Sequence, residues 1–202
     1  MYARSRFVLL LLLTSMTASA QGPGRNGMGI KLGPQWCNLN ASDRTYQPVP
    51  GALVGIYFPL LASARLELQP ELLLSYQGSN FPVGEAGVQE LRMLYLQAPL
   101  IAKVYLGNAF SLQGGLLMAR CLAAQRDGEK ITDMFRAFDV GYAAGIGVDT
   151  QRGLDITARY CAGTSPLLVE TTGVNPRSRS FQLTAGLRIV RFRPQRMHFR
   201  KG

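Results

Sequence analysis

Residues 181–189 read FQLTAGLRI, and apolar side chains occupy every second position of this segment. The apolar set alternates with a polar or small set: Phe181, Leu183, Ala185, Leu187 and Ile189 against Gln182, Thr184, Gly186 and Arg188. Successive side chains of a β-strand point to opposite faces. The segment therefore predicts a strand with one apolar face and one polar face.

The same alternation recurs along the chain and predicts eight strands. Their expected ranges are 27–37, 51–58, 64–76, 91–106, 109–122, 135–149, 153–161 and 178–190. Most are at least as long as the ~9–11 residues that a tilted membrane-spanning strand needs. Long polar connections (38–49, 78–90, 123–133, 162–177) alternate with short turns (59–63, 107–108, 150–152). This is typical of a transmembrane barrel with periplasmic turns and external loops.

The N-terminus has the pattern of a secretory signal peptide. Arg4 and Arg6 precede an apolar run over 7–13, and Ala18-Ser19-Ala20 offers a small-residue cleavage site. The apolar run is much shorter than the ~20 residues of a spanning helix. We therefore expect a signal peptide over 1–20 that is cleaved after Ala20, a barrel domain over 21–190 and a basic periplasmic tail over 191–202.

The net charge of +10 is concentrated at the two ends of the chain. Two arginines belong to the predicted signal peptide. Five more cations belong to the tail: Arg191, Arg193, Arg196, Arg200 and Lys201. The body is close to neutral, which argues against a nucleic-acid partner. The tail is either a solvated end or a contact for anionic lipid headgroups or another envelope component.

Several short motifs carry a resemblance to a known family. They are GIKLG at 29–33, LQPELL at 68–73, YLQAPL at 95–100 with Lys103, FSLQGG at 110–115, LDITARY at 154–160 and FQLTAGL at 181–187. In this order they resemble the small outer-membrane β-barrel domain family of Gram-negative, Bacteroidota-type bacteria, also called porin family or PorT family proteins. The resemblance implies an all-β fold, a single eight-stranded antiparallel up-and-down transmembrane β-barrel. It also implies outer-membrane lipid and the barrel-insertion machinery as partners.

Ten ionisable residues fall on the polar face of the predicted strands. They are Lys31, Arg65, Glu67, Glu71, Lys103, Asp139, Asp149, Asp155, Arg159 and Arg188. An eight-stranded barrel is only wide enough for its own side chains to fill. Buried charges are tolerated when they are paired. The balanced set of five cations and five anions thus predicts a structural charge plug in the lumen.

Residues for catalysis, metal binding or cofactor binding are not evident in the sequence. The only histidine, His198, lies in the tail, and there is no Gly-x-Ser-x-Gly elbow or His/Cys cluster at metal spacing. We therefore expect no enzyme and no cofactor. Cys37, Cys121 and Cys161 share the lumen parity. Either a disulfide among them or three buried thiols fits an oxidising envelope.

Three functional hypotheses remain for such a barrel. The first is a non-enzymatic bacterial outer-membrane protein whose loops contact an unknown extracellular or periplasmic partner, or support the envelope or secretion. The second is a narrow porin-like diffusion channel. The third is an exported soluble lipocalin-like binder, which needs its apolar face inside. The polar face is rich in Gly, Gln and Thr and carries both signs of charge. That composition favours a lumen, because solvent-facing surfaces carry more Lys and Glu.

Overall fold

The computed structural model describes residues 25–40, 47–63, 65–82, 88–150, 152–165 and 177–192. These residues form nine strands and one short 3-10 turn. The strands are β1 (Gly27–Asn40), β2 (Gln47–Tyr57), β3 (Leu66–Pro82), β4 (Val88–Leu106), β5 (Phe110–Arg126), β6 (Glu129–Lys130), β7 (Phe138–Asp149), β8 (Leu154–Gly163) and β9 (Arg177–Arg191). None of the described residues belongs to a helix that is long and apolar enough to cross a bilayer.

Eight of the strands close into an antiparallel ring. Each pairs with its neighbours along the chain, β4 pairs with β5, and β9 returns to β1 with Leu32 opposite Ala185. The two-residue strand β6 folds back and pairs only with the last two residues of β5. The predicted eight-stranded up-and-down barrel is confirmed. We call the end that holds the β2–β3, β4–β5 and β7–β8 connections the turn end, and the opposite end the loop end.

Most strands reach further toward the loop end than the alternation predicted, whereas β7 begins at Phe138 instead of residue 135. β3 continues to Pro82 instead of residue 76, and β5 continues to Arg126 instead of residue 122. Phe81 still pairs with Gln89 at this height. The extensions were missed because apolar and polar residues do not alternate over 77–82 and 123–126.

Burial alternates along the strands as the pattern predicted, with the polar set inside. On β9, Gln182 is 1% exposed while Leu187 is 52% exposed. The other long strands repeat this arrangement, and the outward face carries most of the large exposed apolar side chains. This is the inverse of a water-soluble domain and matches the apolar outer band of a membrane barrel.

The interior at the loop end is apolar. Its buried cluster consists of Leu39, Leu91, Met93, Tyr95, Ala119, Cys121, Ala124, Ile131 and Phe135. Ile131 and Phe135 flank the 3-10 turn Thr132–Met134, which lies between β6 and β7. The amide of Ala124 donates to Thr132 Oγ1 at 3.0 Å and ties this turn to β5. The segment 123–133, predicted to be a polar external loop, therefore folds partly into the barrel mouth.

Glycines make room for large inward side chains at two positions in the barrel wall. A Cβ atom on Gly147 would collide with the Gln113 amide, and one on Gly29 would collide with the Tyr57 ring. Both of these contacts lie inside the barrel, where Tyr57 is fully buried. A glycine on one strand thus makes space for a large inward side chain of the adjacent strand.

A charge on the outward face tests whether that face lies in lipid. Leu116 is exposed in the middle of β5, between Leu100 and Tyr142 on the neighbouring strands. We expect Leu116→Arg to lower the free energy of unfolding in phosphatidylcholine vesicles by ~2–4 kcal/mol, because arginine is costly near the bilayer midplane. Denaturant titration of the reconstituted barrel measures this loss.

The control is Asn108→Arg, which places the same charge in the exposed β4–β5 turn. Its expected cost is about 0–1 kcal/mol, as near a membrane interface. Equal stability of the two variants would contradict a lipid-facing position for Leu116.

Candidate functional site: the closed lumen

Glu71 on β3 is the centre of one group of buried charges. Its carboxylate accepts hydrogen bonds from Lys31 Nζ at 3.0 Å and from Arg159 Nη1 and Nη2 at 2.9 and 3.0 Å. Gln69 Nε2 donates a further bond at 2.6 Å. The guanidinium of Arg159 also reaches Gln113 Oε1 at 3.1 Å. The two-pronged arginine–carboxylate pair is a strong, charge-assisted contact, and it joins β3 to β8 across the lumen.

Lys103 on β4 is the centre of a second group. Its ammonium donates to Asp155 Oδ2 at 2.7 Å and to Asp149 at 3.1 and 3.2 Å. Glu67 lies 3.7 Å from the same nitrogen and accepts a hydrogen bond from the Tyr105 hydroxyl at 2.9 Å. The three carboxylates are close together because Glu67 pairs in register with Lys103, and Asp149 with Asp155.

Asp155 connects the two groups into one network. It lies 3.7 Å from Lys31 Nζ and accepts a hydrogen bond from Thr157 Oγ1 at 2.7 Å, and Gln113 Nε2 donates to that hydroxyl at 3.2 Å. The network, which we call the charge plug, contains Lys31, Glu67, Glu71, Lys103, Asp149, Asp155 and Arg159. It occupies the half of the lumen toward the turn end.

A layer of amides separates the charge plug from the apolar loop end. Gln35 Nε2 donates to Ser75 Oγ at 2.6 Å, and Gln182 Nε2 donates to Gln97 Oε1 at 3.3 Å and to Gln35 Oε1 at 3.4 Å. All of these side chains are buried. Amides donate and accept, so they satisfy one another without a net charge. The described lumen therefore runs from charged through neutral polar to apolar.

Comparison with known proteins agrees with this architecture. The model of the outer membrane protein beta-barrel domain family matches residues 24–169. The chain belongs to this family. It is accordingly a protein of the bacterial outer membrane, and its apolar outer band lies in the lipid bilayer. Among curated protein sequences, none matches the chain.

Solved outer-membrane barrels share the fold with low sequence identity. The attachment invasion locus protein Ail of Yersinia pestis aligns with a TM-score of 0.51 and 14% identity, covering 83% of this chain and 99% of Ail. Neisserial surface protein A, NspA, aligns with a TM-score of 0.52 and 12% identity over 81% and 97% of the two chains. The outer membrane enzyme PagL aligns with a TM-score of only 0.44 and 11% identity over 79% and 99% of the two chains. The likenesses to Ail and NspA show the shared fold.

Nine of the ten ionisable residues predicted for the lumen of this outer-membrane barrel are buried there, and Arg65 is not. Arg65 is exposed because β3 begins only at Leu66, so its predicted place in the lumen was wrong. Arg188 is buried near the turn end, close to the end of β9. Asp139 lies apart, beside a cavity of about 10 Å³ near the loop end. That volume is roughly the space of one water molecule.

The neutral partners of the charge plug were not among the predicted lumen residues. Tyr105, Gln113 and Thr157 all share the lumen parity of their strands. Parity alone therefore contained the signal. The predicted lumen set contained only charged residues, although each of these three neutral residues makes a hydrogen bond that a buried charge requires.

The three cysteines are buried free thiols. Cys37 and Cys161 both pair in register with Ser180, so one strand lies between them. Adjacent strands are ~4.8 Å apart, which separates the two backbones by ~9–10 Å. A disulfide needs Cα atoms within ~7 Å. Cys121 lies on β5, which pairs with neither β1 nor β8.

Removal of the central carboxylate tests the energetics of the plug. We expect Glu71→Ala to lower the free energy of unfolding by ~3–5 kcal/mol, because Lys31 and Arg159 are left buried without their counter-charge. Glu71→Gln keeps the shape of the side chain and is expected to fall between the wild type and Glu71→Ala. Denaturant unfolding in vesicles measures both.

The matched control removes a carboxylate from an exposed pair, Glu90 and Arg92, whose charged groups lie 2.8 Å apart. Glu90→Ala is expected to leave the unfolding midpoint unchanged, since solvent screens this pair. An equal effect of Glu71→Ala and Glu90→Ala would show that the plug does not stabilise the barrel.

Thiol labelling tests the state of the cysteines. Because all three thiols are buried, we expect an alkylating reagent to leave the folded barrel unlabelled and to add three groups after denaturation without a reductant. Intact-mass spectrometry counts the added groups. A denatured chain that takes up a single group and weighs two hydrogens less would instead demonstrate a disulfide.

Proposed function

We propose that this outer-membrane barrel is a closed, non-enzymatic protein whose lumen charges are structural. Its loop end would meet a partner outside the cell or support the envelope. The observation that carries the proposal is the inaccessibility of the plug. The side chains of Lys31, Glu71 and Lys103 are 0% exposed to solvent. A residue that lines a conducting pore must contact water, and these do not.

A second obstruction, in the loop-end mouth of the barrel, also argues against a diffusion channel. Above the amide layer, the apolar cluster fills the mouth with side chains such as Met93, Tyr95 and Phe135. Apolar constrictions oppose ion passage because water leaves them readily. The polar plug and the apolar cluster thus obstruct the lumen by different physical means.

A lipocalin-like binder is disfavoured by the orientation of the two faces. Such a binder holds its ligand in an apolar interior. Here the middle and turn-end lumen contain the charge plug and the amide layer, while Leu116 and Ile146 point outward. An apolar ligand would have to displace paired charges, which is costly.

The described interior also offers little for catalysis. Ser75, Ser111 and Ser180 are buried, but the part of the chain described by the structure contains no histidine to activate them. His198 lies outside the described residues. Within the described ranges there is likewise no group of three His, Cys, Asp or Glu side chains placed to hold a metal ion.

The loop end presents a polar surface of mixed charge. Arg92 donates to the Tyr76 hydroxyl at 3.0 Å, and the amide of Glu90 donates to Asp127 Oδ1 at 3.0 Å. Arg120 lies 5.5 Å from the centre of the Phe138 ring. These contacts hold exposed charged groups in place on strands that extend past the apolar band, which supports a polar partner at this end.

The remaining parts of the proposal concern the chain ends. We propose that residues 1–20 act as a signal peptide and that the basic tail predicted over 191–202 is periplasmic and begins at the last residue of β9, Arg191. Residues 1–24 and 193–202 lie outside the described residues. Both parts rest on the sequence, since the N-terminal pattern is that of an export signal.

Conductance tests the closed lumen. We expect the full-length barrel in a planar lipid bilayer to show no single-channel steps, because the plug and the apolar cluster leave no aqueous path. A heat-dependent gel shift of the same sample verifies that the barrel is folded. Reproducible steps from folded protein would overturn the proposal in favour of a channel, and release of acyl chains from added lipid would overturn its non-enzymatic part.

A further inference from the structure

We infer that the turn end binds the anionic headgroups of phospholipids in the adjacent leaflet. The binding surface is a set of arginines around the turn-end mouth, Arg25, Arg65, Arg152 and Arg191, which we call the arginine rim. Arg65, Arg152 and Arg191 are exposed, and Arg25 is half-buried. This inference goes beyond the proposed function, since a closed or an open barrel could carry the same rim.

The rim has a single sign of charge because the acidic residues of this end point inward. Glu67, Asp149 and Asp155 lie at the turn-end tips of β3, β7 and β8, and each is at most 3% exposed. All three face Lys103 within the charge plug. Among the described residues, no exposed carboxylate lies at the turn end.

The loop end shows that this asymmetry is specific. There, exposed acids lie among the exposed arginines, and Arg92 lies 2.8 Å from Glu90. Asp127, Glu129 and Asp133 are also exposed at that end. A general excess of arginine would give two similar ends, whereas only the turn end lacks exposed acidic groups among the described residues.

The rim lies at the height of lipid headgroups. Arg152 lies two residues before Leu154, and Arg191 lies between Val190 and Phe192. These three apolar side chains are exposed at the edge of the outer band. Leu61, in the turn that leads to Arg65, is 78% exposed. Cations next to lipid-facing apolar side chains mark the boundary between the hydrocarbon and the headgroups.

Arg25 extends the rim over the mouth of the barrel. Its guanidinium stacks 3.7 Å from the centre of the Tyr105 ring and donates to the carbonyl of Asn108 at 2.7 Å. Tyr105 in turn donates to Glu67 of the charge plug. Through Tyr105, Arg25 is thereby linked to the charge plug inside the barrel.

The chemistry of the rim fits a phosphate with a net negative headgroup. Guanidinium groups bind phosphate oxygens in a two-pronged geometry. A basic residue near an anionic membrane surface strengthens binding about fivefold. Phosphatidylglycerol keeps its negative charge, whereas the choline of phosphatidylcholine neutralises the phosphate. We therefore expect the full-length barrel to prefer phosphatidylglycerol.

The experiment titrates the full-length barrel in neutral detergent with each lipid and reads bound lipid by native mass spectrometry. The rim variant is Arg65→Gln with Arg152→Gln, and the matched control is Lys130→Gln with Arg177→Gln at the loop end. Arg65 and Arg152 precede strands on opposite sides of the ring, so no single headgroup contacts both. We expect phosphatidylglycerol to bind about fivefold more weakly at each of the two positions in the rim variant. The control should bind like the wild type. A heat-dependent gel shift verifies that both variants are folded.

Three results would overturn the inference. The wild type could bind phosphatidylglycerol and phosphatidylcholine equally. The rim variant could keep full affinity, which would place the binding in the tail or elsewhere. Dextran sulfate could bind the wild type more tightly than phosphatidylglycerol does in the same detergent, which would point to a soluble polyanion. Conductance is a separate readout, so failure here leaves the closed lumen untouched.

Discussion

The pairing of Glu71 with Lys31 and Arg159 holds opposite walls of the barrel together. A buried carboxylate is unfavourable unless cations and hydrogen-bond donors surround it. Glu71 obtains both from β1, β3 and β8. These strands are far apart in the chain, so the contact can form only when the ring has closed. A barrel that closed in another register would leave several ionised groups unpaired in its interior, and the plug therefore favours one register.

The rest of the lumen is organised around this requirement. Charges are gathered toward the turn end, amides fill the middle, and the segment between β5 and β7 covers the loop end with Ile131 and Phe135. The same arrangement shapes the outer surface. Because the acidic residues of the turn end are used inside, the arginines that remain outside give that end a positive field. One interior network thus joins the walls of the barrel and leaves its rim without exposed acids among the described residues.

Much of the fold could be read from the chain because a strand has a period of two. The parity rule placed Lys31, Lys103 and Arg159 inside the barrel, and it separated them from lipid-facing residues such as Leu116. It failed at strand ends. Arg65 has the parity of a lumen residue but lies before β3 begins. Phe135 was predicted to begin a strand but follows a 3-10 turn. Parity has no meaning where the backbone is not extended.

The sequence by itself therefore determined where the strands lie, the face on which each side chain within them points and the solvent that each face meets. These are local properties, since they follow from the alternation along a single strand. Only the tertiary structure decided which charges meet, that Cys37 and Cys161 stay apart, and that the turn end shows arginines without exposed acids among its described residues. Those properties depend on the register between strands and on the closure of β9 onto β1, which join residues that are distant in sequence.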